Sequence, residues 1–284
     1  MRLALGTANL GQRYGISNRN QVSKSEAIRI IQFAYSQGIR DFDTAPEYGC
    51  AEELIKQSLI GGDSRIQIKI PAQVGNNIHE ITNTVERSLK NLSLEKIDTI
   101  FFHDPKIYNS VNFPKIVEIL INDGYSTNIG ISCYSAEDVI ESYKKCKQLN
   151  SFQVPENILD RRILRHPDIP MLANDGCKFQ VRSAFLQGLF LIDPDLFPEN
   201  LASCKKQIKA LHDFAFIHNL SLIQLLLSYV MQIEWADSVV VGANSVEQLK
   251  ELDDAASNQL EVDWEQFESI PEPFIDPRNW NRLE

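Results

Sequence analysis

Four side chains have the types and spacing to act together on a carbonyl: Asp43, Tyr48, Lys69 and His103. An apolar run ends at Asp43, and Tyr48 follows the turn Thr44-Ala45-Pro46-Glu47. Lys69 sits in Ile66-Gln67-Ile68-Lys69-Ile70, just before Pro71. His103 ends the run from Ile97 and precedes Asp104-Pro105. A phenol has a reference pKa of about 10, which is high for an acid working at neutral pH. A neighbouring ammonium favours the phenolate and lowers that value. A buried ammonium needs a counter-ion, and Asp43 is positioned in the sequence to supply one. An imidazole beside them can hydrogen-bond a carbonyl oxygen and orient it. The set would protonate a carbonyl oxygen while hydride arrives at the carbon. Taken singly, each residue also has an ordinary structural use: a turn cap, a solvated strand end, a turn residue. Their occurrence at three successive strand ends favours the joint reading.

Positioning them takes a repeated strand and helix. Strands are expected at 2–6, 39–43, 66–70, 97–103, 128–132, 152–154, 179–182 and 238–241. Helices are expected at 24–37, 51–59, 77–91, 114–122, 135–146, 167–174, 202–217, 221–232 and 245–257. Apolar residues Ala27, Ile28, Ile31, Ala34 and Tyr35 form one helical stripe, with Ser23 or Ser25 as cap and Gly38 as stop. Eight strand–helix units in 284 residues predict an α/β protein, a single-domain (β/α)8 TIM barrel. In such a barrel, consecutive strand ends meet on one rim, where the chemistry is kept. A doubly wound open sheet is the alternative, but Gly6-Thr7-Ala8-Asn9-Leu10-Gly11 does not match G-x-G-x-x-G. Residues 258–284, with three prolines, read as an irregular C-terminal wrap whose Trp264 and Trp280 cover barrel helices.

The bulk properties narrow the partners. Hydrophobic content is 43%, charged content 23%, and net charge −10, with no basic block. Neither nucleic acid nor an anionic membrane is an expected partner. No run approaches the length of a membrane span, and the N-terminus enters a strand without a signal-peptide layout, so a cytoplasmic location is expected. The five cysteines are odd in number, scattered and without a CxxC pair. Disulfides and a zinc site are not expected. A metal-assisted reading of His103 and Asp104 has too few other His and acidic strand ends to support it. Oligomeric state is not readable.

Phe42-Asp43-Thr44-Ala45-Pro46-Glu47-Tyr48-Gly49-Cys50-Ala51-Glu52 resembles the aldo/keto reductase signature D-T-A-x-x-Y-G-x-x-E, and the resemblance runs over nearly the whole chain. It implies a (β/α)8 barrel, a nicotinamide cofactor and reduction of an aldehyde or ketone, a small-molecule carbonyl. Lys69 and His103 match the family's catalytic Lys and His. Ser132 and Gln153 match residues that hold the cofactor carboxamide, although Cys133 replaces the usual Asn. Arg182 lies where many members stack an aromatic ring on the nicotinamide, and a planar guanidinium can also stack. Ser183 through Leu189, including Gln187, resemble the loop around the pyrophosphate. Gly6 and Thr7 resemble the contact to the nicotinamide ribose. Gly242, Asn244 and Gln248 resemble the phosphate turn after strand eight, whose backbone N–H groups suit phosphate. NADPH is the cofactor the resemblance implies. Asn244 replaces a common Arg or Lys, Leu252 replaces a common Asn, and the direction of Lys250 is open, which keeps NADH in view. The opening Leu5–Gly11 and Tyr14–Asn18 resemble proteins of surface-sugar pathways, which suggests a sugar-type carbonyl. A cofactor-binding regulatory protein is the alternative function. The loop 11–19 is expected to shape the pocket through Arg13 and Tyr14. Arg161, Arg162, Arg165 and His166 read as a solvated helix start, and His79, His212 and His218 as helix residues without a site.

Overall fold

In the computed structural model, which describes residues 1–16 and 21–282, eight parallel strands close into a barrel in sequence order. They are β1 (Arg2–Gly6), β2 (Asp41–Asp43), β3 (Arg65–Ile70), β4 (Thr99–Phe102), β5 (Asn128–Ser132), β6 (Ser151–Pro155), β7 (Lys178–Arg182) and β8 (Ser238–Val241). β8 pairs with β1 in the register Leu3 to Val239 and Leu5 to Val241, which completes the closure. This is the (β/α)8 architecture.

The outer layer comprises α1 (Ala8–Gly11), α2 (Lys24–Ser36), α3 (Ala51–Gln57), α4 (Ile78–Leu92), α5 (Phe113–Asn122), α6 (Ala136–Lys145), α7 (Asp168–Asn174), α8 (Lys205–Ile217), α9 (Leu222–Met231), α10 (Val246–Ser257) and α11 (Glu272–Ile275). α4 shows why these segments are helical. The Asn77 side chain accepts from the N–H groups of His79 and Glu80, and Ile81, Val85, Ser88 and Leu92 then fall on one buried face. Burying an Ile, Val or Leu contributes roughly 1.5–3 kcal/mol each, and the cap about 1 kcal/mol.

Period two is visible in β3. Ile66, Ile68 and Ile70 alternate with Gln67 and Lys69, and all five are buried. The alternation puts the polar pair on the opposite face, inside the barrel. Gln67 Nε2 donates to Asp41 Oδ1 at 3.4 Å, and Gln180 Nε2 to Ser238 Oγ at 3.2 Å. At the N-terminal mouth, Arg2 and Arg65 each reach Asp41 at 2.7 Å. Against the cost of burial, these two guanidiniums hold the Asp41 carboxyl below its ordinary range.

Three expectations are corrected. Strand two begins at Asp41 rather than Ile39, because the Ile39 N–H closes α2 by donating to Ala34 at 3.0 Å after the left-handed Gly38. The helix expected from 202 is a 3-10 segment, Glu199–Cys204, before α8 begins at Lys205. The cluster Arg161–His166 is exposed at Arg162 and Arg165, as expected, but it is a turn and not a helix start, and Arg161 is not solvated. Arg161 is buried and donates to the carbonyls of Trp264 and Phe267, while Arg162 pairs with Asp160 at 2.8 Å. It anchors the C-terminal segment, which carries α11 and the 3-10 turns Trp264–Gln266 and Pro277–Arg282. Among the described residues, no single helix is long and apolar enough to cross a membrane.

Candidate active site

The C-terminal rim of the barrel opens into a cavity of about 590 Å³. Its lining includes Asp43, Tyr48, Lys69 and His103 from the ends of β2, β3 and β4. The chain folds this way locally because two glycines let α1 press against the turn that carries Tyr48. A Cβ on Gly11 would lie 1.8 Å from the Tyr48 carbonyl oxygen. Gly49 adopts φ +57°, and a Cβ there would lie 2.3 Å from the Gly11 oxygen. No side chain fits either position, so the turn and α1 are in direct backbone contact.

Lys69 is buried and donates to both oxygens of the Asp43 carboxylate. Gln153 Nε2 donates to Asp43 Oδ2 at 2.8 Å and to Gln180 Oε1 at 2.6 Å. The Lys69 ammonium lies 5.6 Å from the Tyr48 ring centroid. The expected acidification of Tyr48 by Lys69 is not what the geometry gives. Burial, and then the Asp43 carboxylate, push the Tyr48 hydroxyl far above the ordinary phenol range, and the principal cation pulling it down is Arg182. Burial is the larger cause, and the Asp43 carboxylate on which Lys69 rests adds to it. Tyr48 is thus a fully protonated hydroxyl at neutral pH. His103 is a neutral imidazole: burial, then Lys69 and Arg182, pull its pKa down to about 4. Its Nδ1 lies 3.8 Å from Glu47 Oε2.

Ser132, Gln153, Arg182, Ser183 and Gln187 also line the cavity, as do Gly6, Gly242, Asn244 and Gln248 from the ends of β1 and β8 and the start of α10. Thr7 is the exception among the sequence-expected residues. It is fully buried beneath the cavity, and its Oγ1 donates to the Asp43 carbonyl at 3.0 Å. It holds β2 in place instead of facing a ligand. Arg182 also departs from a simple stacking role. Its guanidinium lies 4.4 Å from the Tyr134 ring centroid and donates to Cys133 O at 3.0 Å and Ser183 Oγ at 3.2 Å. Cys133 turns its own thiol to Ile131 O at 3.8 Å, away from the cavity lining.

The residues fit a phosphate-bearing cofactor on two observations. Arg182 Nε is buried without a hydrogen-bond partner among the described residues. The loop after β7 holds Ser183, Leu186 and Gln187 at positive φ, a conformation that costs on the order of 1–3 kcal/mol per residue and collects at ligand clamps. Asn157 Nδ2 braces this loop through Ser183 O at 3.2 Å.

Several lining residues escaped the sequence reading: Asn9, Glu47, Tyr134, Asp276 and Arg278. Glu47 lies within the signature itself and was the most accessible of them. Asp276 and Arg278 come from the C-terminal segment, so that segment is part of the site and not only a wrap. Tyr14 lines the cavity, whereas Arg13 does not; Ser17, Asn18 and Arg19 lie outside the described residues.

Comparison with known proteins agrees with the geometry. The model of the aldo/keto reductase family matches residues 2–272. The L-glyceraldehyde 3-phosphate reductase of Escherichia coli O157:H7 is 24% identical over 320 residues, covering 96% of this chain and 90% of that protein. The D-arabinose 1-dehydrogenase of Saccharomyces cerevisiae is 26% identical over 290 residues, covering 87% and 80%. The holo form of aldo-keto reductase AKR11C1 from Bacillus halodurans superposes with a TM-score of 0.77 at 22% identity, covering 97% and 95%, a likeness of fold. Members of this family are oxidoreductases acting on carbonyls with nicotinamide cofactors, and the chain belongs to the aldo/keto reductase family.

Proposed function

We propose that the chain reduces a sugar-type aldehyde or ketone, with Tyr48 as the proton donor. The observation that carries this is the convergence of the Tyr48 hydroxyl, the neutral His103 ring and the Lys69–Asp43 pair in one cavity with Ser132, Gln153 and Arg182. The nicotinamide cofactor, when bound, supplies the hydride. Ser132 and Gln153 are the residues that would hold its carboxamide, and Arg182 with the strained loop 183–188 would hold its phosphates. NADPH and NADH differ by the 2′-phosphate on the adenosine ribose, and the reading accommodates either.

The protein's own groups then divide the work. His103, uncharged, offers one N–H to the carbonyl oxygen and leaves that oxygen free of a competing ion pair. Tyr48 holds its proton until the oxygen acquires alkoxide basicity, which suits a phenol whose pKa lies above the ordinary value. Asp43 and Lys69 fix each other, and Gln153 ties that pair to Gln180 of β7. The sugar-type substrate rests on the relatives named for L-glyceraldehyde 3-phosphate and D-arabinose and on the many polar groups of the lining.

The test is oxidation of NADH and NADPH with a panel of short aldoses, sugar phosphates and simple aldehydes. Tyr48→Phe should lower turnover by about 100-fold to 10,000-fold, the range ascribed to general acid catalysis, while cofactor binding persists. Unchanged turnover in that variant would remove the role of Tyr48. Cofactor binding without turnover of any panel member would favour a cofactor-binding regulatory protein.

A further inference from the structure

Glu47 stands beside both groups that the proposed reaction assigns to the carbonyl oxygen. It precedes Tyr48 in the chain, and its Oε2 lies 3.8 Å from His103 Nδ1. All three residues line the cavity. The other oxygen, Oε1, accepts from the Gln73 side-chain amide, on the 3-10 turn Ala72–Val74 after β3. That bond orients the carboxylate, and Oε2 has no hydrogen-bond donor among the described residues.

The cations of the lining are engaged elsewhere. Lys69 donates to Asp43, and Arg278 pairs with Asp276. Arg182 donates to the Cys133 carbonyl and Ser183 Oγ and rests on the Tyr134 ring. His103 is uncharged at neutral pH, because its pKa is pulled down to about 4. Among the described residues, neither a Lys nor an Arg forms an ion pair with Glu47. Lys106 lines a neighbouring cavity of about 340 Å³ that shares His103, and it is absent from the lining of this one.

A carboxylate accepts hydrogen bonds and donates none. A hydroxyl satisfies it, and a charge-assisted bond is roughly twice as strong as a neutral one. An alkyl chain laid against it removes water and returns no donor, which costs free energy. A phosphate or a second carboxylate is repelled. Resting on the reductase reading, we propose that Glu47 is a specificity-determining residue whose Oε2 accepts a hydrogen bond from a substrate hydroxyl, so that the site takes neutral polyhydroxy carbonyls in preference to anionic ones and to plain alkanals. The hydroxyl belongs to the chain beyond the carbonyl carbon, since the carbonyl oxygen itself is held by Tyr48 and His103.

The test is kcat/KM for matched pairs of substrates. D-threose against butanal reads the hydroxyls, D-glyceraldehyde 3-phosphate against D-glyceraldehyde reads a phosphate, and 4-oxobutanoate against butanal reads a carboxylate. Each ratio is compared between proteins, so a loss of chemistry common to all substrates cancels. Glu47→Ala should lower the threose-to-butanal ratio about tenfold, chiefly through the KM of D-threose. Glu47→Gln is isosteric, keeps an acceptor for Gln73 and for the substrate, and removes the charge. It should retain most of the threose preference and raise the anion-to-neutral ratio about tenfold in both anionic pairs. Added salt should raise that ratio in the wild type more than in Glu47→Gln. Equal losses on both members of every pair would show that Glu47 serves Tyr48 or His103 and not the substrate, and would overturn the proposal. A wild-type preference for the phosphate would also overturn it and point to Lys106 as an anion contact. Either result leaves the reductase reading standing, whereas cofactor binding without turnover of any of these compounds overturns both.

Discussion

The Lys69 ammonium rests on both oxygens of the Asp43 carboxylate and stands 5.6 Å from the centroid of the Tyr48 ring. The ion pair is almost wholly buried, with side-chain exposures of 4% and 5%. Its attraction is therefore little screened, and neither partner tolerates the loss of the other. Lys69 is thus bound to Asp43, the charged group that raises the Tyr48 hydroxyl.

That relationship predicts a particular pattern of stability. Lys69→Met leaves Asp43 with the Gln153 amide alone, and Asp43→Asn leaves a buried ammonium without a counter-charge. Each should cost about 3–5 kcal/mol of unfolding free energy. The double variant should cost clearly less than the sum, since both charges are gone. Urea unfolding of the four proteins measures this directly. Additive losses would mean that the two side chains are not a coupled pair.

The neutral state of His103 sets the acid side of the pH–rate profile. Its pKa is pulled from an ordinary 6.5 to about 4 by burial and by Lys69 and Arg182. The ring gains its proton only as pH falls through about 4, so reduction should show no His103 ionisation between pH 5 and 8. kcat/KM measured over that interval checks it, together with the imidazole proton shifts in NMR. An ionisation near 6.5 that vanishes in His103→Asn would show that the ring is charged when the enzyme works.

Tyr134 carries two guanidiniums on its ring. Arg182, from β7, lies 4.4 Å from its ring centroid, and Arg278, from the C-terminal segment, lies 3.4 Å from it. Arg278 is in turn paired with Asp276. Cation–π contacts contribute about 0.5–2 kcal/mol each, enough to hold a short 3-10 segment over the cavity. Tyr134→Ala should raise hydrogen exchange in 276–280 and raise the carbonyl KM by about tenfold, with kcat less affected. Tyr134→Phe keeps the ring and should resemble the wild type. Unaltered exchange in Tyr134→Ala would show that the segment is held by other contacts, such as Trp280 Nε1 to Phe274 O at 2.9 Å.

Which of these features the sequence displays follows from their range. The barrel is legible because alternation within five residues, as in Ile66-Gln67-Ile68-Lys69-Ile70, assigns each side chain to a face. Strand ends then share a rim by topology alone, which brings Asp43, Tyr48, Lys69, His103, Ser132 and Gln153 to one cavity. The sequence names Asp43 as the counter-ion of Lys69, and the two are paired; what spacing does not carry is the burial of Tyr48, which together with the Asp43 charge raises its hydroxyl. Contacts across long loops are equally silent. Nothing near Val246 announces that its N–H donates to Glu26, and nothing near Tyr134 announces Arg278. Thr7 stands at its strand end as expected, and its hydroxyl is used on the Asp43 carbonyl, a contact that spacing does not show.

Glu156 gives a prediction outside the catalytic chemistry. It follows β6 directly, is fully buried, and accepts from Tyr229 Oη at 2.7 Å and Leu164 N at 2.9 Å. Burial pushes its carboxyl up to about 8, against the opposing pull of these two donors. The native state therefore keeps its proton at neutral pH, while the unfolded chain releases it near the ordinary 4.5. Below about 4.5 both states hold the proton and Glu156 costs nothing. Between about 4.5 and 8 only the unfolded state is ionised, so native stability falls as pH rises. Glu156→Gln abolishes this dependence and preserves the bonding, because the Gln oxygen accepts from Leu164 N and the Tyr229 hydroxyl turns to accept from the amide. The melting temperature of the wild type should decline relative to that of the variant from pH 5 to pH 8 and run parallel to it above pH 8. Parallel curves across the whole range would mean that Glu156 is ionised in the folded protein, with Arg161 as its closest compensating charge.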